Sequence, residues 1–196
     1  MWDERFAAEH YVYGREPNQF FREQIEPLTP GRALFVGEGE GRNSVYAASK
    51  GWKVDAVDIS EEAKKKAVRL AAEAGVDVNF TVSDISEYTP PENHYDLIVL
   101  IFFHVMPDLR EETHAKLAGA LKPGGRVVLE SYEKDQLRYS SGGPKINDLL
   151  YSLEDIYTDF NELDIIAFSK QIIHLDEGPL HRGDASVIRY VGQKPL

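Results

Sequence analysis

The stretch Arg32-Ala33-Leu34-Phe35-Val36-Gly37-Glu38-Gly39-Glu40-Gly41-Arg42-Asn43 decides the fold. Its first five residues are typical of a short buried strand, and its alternating glycines are typical of a tight turn. A helix is then expected from about Arg42 to Lys50, ending at Gly51. A strand, a glycine loop and a helix in this order begin an α/β sheet whose ligands bind beyond the carboxyl ends of the strands.

The same alternation continues along the chain. Further strands are predicted at 53–57, 78–82, 95–102 and 126–130, and further helices at 60–74, 110–121 and 153–161. Strands separated by helices indicate βαβ units and a parallel sheet. The last two strand-like runs, 165–175 and 185–191, have no helix between them and should form an antiparallel hairpin. The sequence therefore predicts a Rossmann-like, doubly wound, mostly parallel seven-stranded sheet with an antiparallel C-terminal edge hairpin.

Length and composition narrow the class of protein. The chain has 196 residues, so we expect a single domain over 1–196, and it has no cysteine for disulfides or thiolate chemistry. The net charge of -11 argues against binding to nucleic acid, and no histidine spacing suggests a metal site. No apolar run approaches the roughly 20 residues that span a bilayer. Since the N-terminus also lacks a signal peptide pattern, we expect a cytoplasmic protein without membrane contact.

An acid at the end of the second strand indicates the kind of ligand. Asp58 could accept hydrogen bonds from both hydroxyls of an adenosine ribose, which nicotinamide dinucleotides and S-adenosylmethionine share. A dinucleotide fingerprint has glycines at relative positions one, three and six. In this chain the third glycine is at position five, and position six is Arg42. This spacing disfavours a dinucleotide and suits a ligand without a pyrophosphate.

The chain resembles the class I S-adenosylmethionine-dependent methyltransferases, and within them the tellurite-resistance-type small-molecule methyltransferases. Besides the glycine loop, the resemblance rests on Asp58-Ile59-Ser60, Ser83-Asp84-Ile85, Tyr95 to Pro107, and Leu121-Lys122-Pro123-Gly124-Gly125. Tyr11-Val12-Tyr13-Gly14 and Pro17-Asn18-Gln19-Phe20 are similar to the N-terminal segment that folds over the cofactor in this subgroup. Phe35 departs from the pattern, because many class I enzymes have an acid there.

The resemblance implies S-adenosylmethionine as cofactor, S-adenosylhomocysteine as product and a small molecule as acceptor. Asp58 would bind the ribose and Ile59 would pack on the adenine, while Glu38 could replace the missing acid toward the methionine amino group. For Asp58 a helix cap or a solvated acid remains an alternative, and for Asp84 a turn contact. The predicted cofactor-binding residues are Tyr13, Asn18, Gly37, Glu38, Gly39, Arg42, Asn43, Asp58, Ile59, Ser60, Asp84, Ile85, Ile101 and Phe102.

The predicted catalytic residues are His104, His181 and Arg182. Methyl transfer from a sulfonium needs alignment and a water-poor pocket more than an acid–base pair. His104 follows the fourth strand, near the expected methyl position. The sixth strand should run parallel to the others, so the turn after it would carry His181 and Arg182 over the ligand side. The alternatives are a structural hydrogen bond for His104 and a surface ion pair with a neighbouring acid for the other two.

The remaining predictions concern two segments of the chain and the reaction that the protein carries out. Residues 1–30 are expected to cover the cofactor, and residues 131–150 to form an acceptor lid that is mobile without ligand. The predicted reaction is methyl transfer to a thiol, a metalloid oxyanion or another soft nucleophile. The alternatives are a cofactor-binding protein that has lost catalysis and an NAD(P)-dependent oxidoreductase. The sequence does not indicate an oligomeric state.

Overall fold

The structure, a computed structural model, describes residues 2–196. The strands are β1 (Arg32–Val36), β2 (Lys53–Asp58), β3 (Asn79–Val82), β4 (Tyr95–Ile101), β5 (Leu121–Tyr132), β6 (Asp164–Asp176) and β7 (Arg182–Gln193). They form one sheet in the order β3-β2-β1-β4-β5-β7-β6. The first five strands are parallel to one another, and β7 is antiparallel to both β5 and β6. The predicted fold, including the antiparallel edge hairpin, is confirmed.

Within residues 2–196, six α-helices connect or precede the strands. They are α1 (Trp2–Phe6), α2 (Gln19–Ile25), α3 (Arg42–Ser49), α4 (Glu61–Ala74), α5 (Pro107–Ala120) and α6 (Leu153–Asp159), and two 3₁₀ turns lie at Lys134–Arg138 and Asn147–Leu149. The ends of α4 follow from local chemistry, as predicted. The Ser60 side chain accepts from the N–H of Ala63, and Gly75 ends the helix in the left-handed conformation with φ +68°.

The core has one layer on each face of the sheet. Apolar residues of α2, α3 and α4 pack on one face, and those of α5 and α6 pack on the other. Burial on both faces explains why β4 is apolar at almost every position. Among residues 2–196, no helix combines the length and the apolar character that a bilayer span requires.

Several predicted boundaries were wrong, among them the start of α5, both ends of β5 and both ends of β7. Helix α5 begins at Pro107 rather than at 110, because proline is favoured in the first turn, where its missing N–H costs nothing. Strand β5 extends to Tyr132, because Ser131 and Tyr132 pair with Ile188 and Val187 of β7. The predicted lid therefore begins as part of the sheet.

The topology places one candidate site. The strand order reverses between β1 and β4, which is the switch point at which doubly wound sheets bind ligands. Strand β6 is parallel to β5, since β7 is antiparallel to both. The turn after β6 therefore lies at the same edge of the sheet as the glycine loop, as predicted.

Candidate functional site

The glycine loop has a backbone that only glycine adopts easily. Gly37, Gly39 and Gly41 have φ of +63°, +61° and +92°. A Cβ on Gly37 would lie 2.6 Å from the Phe103 ring, and one on Gly41 would lie 2.7 Å from the Cβ of Ala67. These glycines let the loop pass close to its neighbours, and the N–H groups of Gly37 and Gly39 donate to the Val57 carbonyl at 2.9 Å and to Asp58 at 2.8 Å.

Glu38, a residue of the glycine loop, caps the N-terminus of α3. Its Oε1 accepts from the backbone N–H groups of Asn43 at 3.1 Å and Ser44 at 2.7 Å. Burial raises the pKa of Glu38 to about 7, against the lowering effect of these donors. The carboxyl group is thus held at the helix N-terminus, and its role toward the methionine amino group stays a prediction.

Asp58 is held at the end of β2 by backbone donors. One carboxylate oxygen accepts from the N–H of Gly39 at 2.8 Å, and the other accepts from the N–H of Ser60 at 3.0 Å. Burial raises the pKa of Asp58. The adjacent Ile59 leaves 50% of its surface exposed beside this carboxylate. A carboxylate with spare acceptor capacity next to an exposed aliphatic side chain fits the ribose and adenine of the predicted cofactor.

Asp84 and Ile85 lie at the next strand end. Asp84 is exposed, and its Oδ1 accepts from the backbone N–H and the hydroxyl of Ser86, which lowers its pKa. Ile85 is partly buried against the core. The turn contact that we left open for Asp84 is present in the structure, and its predicted contact with adenine stays a prediction.

The N-terminal segment is fixed to the glycine loop by a buried acid. Glu40 accepts from the backbone N–H groups of Val12 and Tyr13, both at 3.1 Å, and from the ammonium of Lys66 at 2.7 Å. The Phe6 ring lies 3.4 Å from where a Cβ on Gly39 would be. These contacts place residues 2–20 against the edge of the predicted cofactor cleft.

Asn18 joins three parts of the chain. Its backbone N–H donates to the Asn43 side chain at 2.9 Å, and its Oδ1 caps α2. Its amide nitrogen donates to Glu130 of β5 at 2.7 Å and to Glu177 at 3.0 Å. Asn18 therefore links α3, through Asn43, to β5 and to the turn between β6 and β7.

The turn between β6 and β7 contributes a buried ionic group. Arg42 donates to Oε2 of Glu177 at 2.9 Å, and Nδ1 of His181 lies 3.6 Å from the same oxygen. Although burial opposes it, the neighbouring imidazole of His181 and the charge of Arg42 lower the pKa of Glu177 to about 2. Burial lowers the pKa of His181 more than Glu177 raises it. At neutral pH, Glu177 is therefore ionised and His181 is neutral.

Aromatic rings surround His181. Ring centroids lie 4.5 Å away for Tyr13, 4.6 Å for Phe102 and 5.7 Å for Tyr132. Phe102, at the end of β4, has φ +53°, which is rare for a bulky residue and concentrates at functional sites. Within residues 2–196, three buried atoms of this region have no hydrogen-bond partner: Nη1 of Arg42, Oη of Tyr132 and Nδ1 of His181. Buried polar atoms without partners are rare in folded proteins, so this aromatic cluster around His181 is a candidate site for a small polar ligand.

Three of the predicted site residues make contacts that support the fold. His104 uses both ring nitrogens, since Nδ1 lies 2.7 Å from the Leu149 carbonyl and Nε2 accepts from the N–H of Tyr132 at 3.3 Å. Arg182 is exposed and pairs with Asp176 at 3.3 Å. Ile101 is buried in the core. The contacts of His104 and Arg182 match the structural alternatives, and their catalytic roles stay predictions.

The segment 131–150 is attached to β7. The buried Gln136 donates to Ser141 at 2.9 Å and to the Gly142 carbonyl at 3.1 Å, and it accepts from the N–H of Ser186 at 2.8 Å. A Cβ on Gly142 would lie 2.8 Å from Oη of Tyr132. This segment therefore packs against one side of the aromatic cluster around His181.

Sequence reasoning missed Glu40, Glu130, Tyr132 and, as a site residue, Glu177. An acid between two glycines of a ligand-binding loop was a usable signal for Glu40. Glu177 had no such signal, because its partner Arg42 lies 135 positions away in the chain. Among residues 2–196, no group of three or more histidine or acidic side chains is placed to hold a metal ion.

Comparisons with known proteins agree with this geometry. A family model described as a methyltransferase domain matches residues 33–125. An uncharacterised methyltransferase of Schizosaccharomyces pombe is 34% identical over 109 residues, which are 54% of this chain and 75% of the relative. Thiocyanate methyltransferase 1 of Brassica oleracea is 30% identical over 132 residues, 66% of this chain and 57% of that protein. The structure of TehB from Haemophilus influenzae superposes with a TM-score of 0.76 at 14% identity, covering 98% of this chain and 65% of TehB.

Proposed function

The chain belongs to the class I S-adenosylmethionine-dependent methyltransferases, and on this premise we propose that it methylates a small molecule through a soft nucleophilic atom. The acceptor would be a thiol, a metalloid oxyanion or a similar group. The observation that carries the proposal is the aromatic cluster around His181, where rings surround polar atoms that have no partner within residues 2–196.

The cofactor would lie across the ends of β1, β2 and β4. When bound, S-adenosylmethionine supplies an electrophilic methyl group. In our proposal Asp58 accepts from the ribose hydroxyls, Ile59 packs on the adenine, and the loop at Gly37 and Gly39 receives the methionine half. The N-terminal segment, fixed by Glu40, excludes water from this side.

The acceptor would lie against Phe102, Tyr132 and His181. Two features favour a small acceptor: the N-terminal segment lies along the cleft, and the net charge of -11 opposes polyanions. The thiocyanate methyltransferase of Brassica oleracea supports a soft acceptor, since its name specifies a sulfur-containing anion. The free atoms of Arg42 and Tyr132 can orient such a group.

Calorimetric titration tests the cofactor half of the proposal. We expect the wild-type protein to bind S-adenosylmethionine and S-adenosylhomocysteine but not NADH. Asp58→Ala should weaken binding about 10- to 100-fold, because hydrogen bonds to a charged group are lost. Asp77→Ala, which removes an exposed acid, is the matched control. If neither adenosyl ligand binds the wild type, the proposal fails; if both bind, a screen of thiols and of selenium and tellurium oxyanions tests the acceptor.

A further inference from the structure

We propose that Glu177 is a positioning residue that orients His181 as a general base, so that the acceptor is a molecule that must lose a proton, such as a thiol. This inference rests on the proposed function. It narrows the acceptor class, since an anion that is already deprotonated needs no base.

The turn geometry places the two side chains together. The backbone N–H of Glu177 donates to the His181 carbonyl at 2.9 Å, which closes the turn between β6 and β7. The Glu177 carboxylate is fixed on two other sides, by Arg42 at 2.9 Å and by Asn18 at 3.0 Å. Nδ1 of His181 lies 3.6 Å from this fixed carboxylate. That distance exceeds a hydrogen bond, as is common for catalytic pairs before ligand binds.

This arrangement selects one ring nitrogen for the acceptor. With Nδ1 facing Glu177, a proton on Nδ1 is stabilised and Nε2 carries the free electron pair. Within residues 2–196, Nδ1 of His181 has no hydrogen-bond partner that would compete with Glu177. His104 differs, because backbone groups occupy both of its ring nitrogens. His181 is therefore the histidine of this site that can accept a proton.

The surroundings of His181 keep it neutral until it accepts that proton. The charged and titratable groups that face it are Glu177 from its own turn, Arg42 of α3, Arg5 of α1, Tyr13, Tyr132 of β5 and His104. The two arginines and burial lower the pKa of His181, whereas Glu177 raises it. A proton gained at Nε2 would be balanced by the Glu177 carboxylate.

The step balances without any further reagent. The S–H proton of the acceptor passes to Nε2 of His181, and the sulfur electron pair forms the new bond to the methyl carbon. The electron pair of the broken carbon–sulfur bond stays on the leaving S-adenosylhomocysteine. The proton then leaves His181 for solvent, so that the products are a methyl thioether, S-adenosylhomocysteine and one proton.

Nitrogen NMR of the ¹⁵N-histidine-labelled full chain, with S-adenosylhomocysteine present, tests the orientation directly. His181→Gln assigns the signal. We expect the wild type to hold the proton on Nδ1, and Glu177→Gln to shift it to Nε2, because the new amide can donate to Nδ1. Asp184→Asn removes the acid of the exposed His174–Asp184 pair, 2.9 Å apart, and should leave the His181 signal unchanged. An unchanged His181 tautomer in Glu177→Gln overturns the proposal.

Acceptor kinetics separate a base from a merely structural histidine. Glu177→Gln and His181→Gln should lower kcat/KM for a thiol about 100-fold, as loss of general base catalysis does. The same variants should lower the methylation of thiocyanate by a much smaller factor than that of the thiol, because the anion has no proton to lose. The acid limb of the thiol pH profile should move to lower pH in Glu177→Gln, since a negative charge that raises the pKa of His181 is removed.

The outcomes distinguish the two proposals. Equal losses for thiol and thiocyanate, or methylation of thiocyanate without any thiol, overturn the base assignment while the methyltransferase function stands. If the wild type binds no S-adenosylhomocysteine by calorimetry, the proposed function itself fails.

Discussion

The candidate site has two sides, the glycine loop and the C-terminal hairpin, and different kinds of contact shape them. On the glycine-loop side, the contacts that shape the site are mostly local: Glu38 reaches the N–H of Ser44 six positions away, and Asp58 reaches the N–H of Ser60 two positions away. On the hairpin side, Asn18 contacts Glu177 across 159 positions. The cofactor side is therefore specified by short sequence motifs, whereas the acceptor side exists only once the sheet has assembled.

Glu40 is an exception to this comparison, because this residue of the glycine loop forms an ion pair with Lys66 of α4. Glu40→Gln should leave the buried ammonium of Lys66 without its charge partner and lower the free energy of unfolding by about 3–5 kcal/mol. Urea unfolding measures the loss. Glu40→Gln combined with Lys66→Met should recover part of it, since no uncompensated charge is then buried. A double variant as unstable as the sum of both single variants would contradict this account.

The same division explains what the sequence could predict. The ends of α4 depend on Ser60 and Gly75, which act within their own turns, and both were predicted. The placement of Asp58 after β2 also follows from a local pattern. The full length of β5 and the partner of Arg42 were not predictable, because each depends on residues of the hairpin more than 50 positions away.

His104 and His181 show the limit most clearly. Both are histidines near strand ends, and sequence gave each a structural and a catalytic interpretation. Only the assembled fold places the Leu149 carbonyl and the Tyr132 N–H against the two nitrogens of His104, and, within residues 2–196, leaves Nδ1 of His181 without a partner. A residue type in a loop indicates possible chemistry, and tertiary contacts decide whether its atoms are available.

Asn18 tests the comparison on the hairpin side, where the contacts are long-range. Asn18→Ala removes a helix cap, a buried hydrogen bond to Glu130 and a partly buried one to Glu177, so it should lower the free energy of unfolding by about 2–3 kcal/mol. Ser152→Ala is a matched control, because Ser152 caps α6, which like α2 has seven residues, and should cost only about 1 kcal/mol.

Hydrogen exchange locates the effect of Asn18→Ala. Protection should fall at residues 13–20 and in the turn 177–181, while the glycine loop keeps its protection. Equal loss of protection on both sides of the cleft would mean that the two sides form one cooperative unit, and the comparison would fail.

A change at Glu38 should have the smallest effect, and it tests whether the glycine-loop side of the site binds a cation. Its pKa is raised by burial from 4.5 to about 7, so between these values the folded protein binds more protons at Glu38 than the unfolded chain does. Stability should therefore fall as pH rises through this window, by on the order of 1–2 kcal/mol. Urea unfolding at several pH values should show this slope in the wild type and a smaller one in Glu38→Gln. If Glu38 faces the methionine ammonium, as predicted, saturating S-adenosylhomocysteine should reduce the slope in the wild type, because a bound cation favours the ionised carboxylate. A slope that the ligand leaves unchanged would confine Glu38 to capping α3.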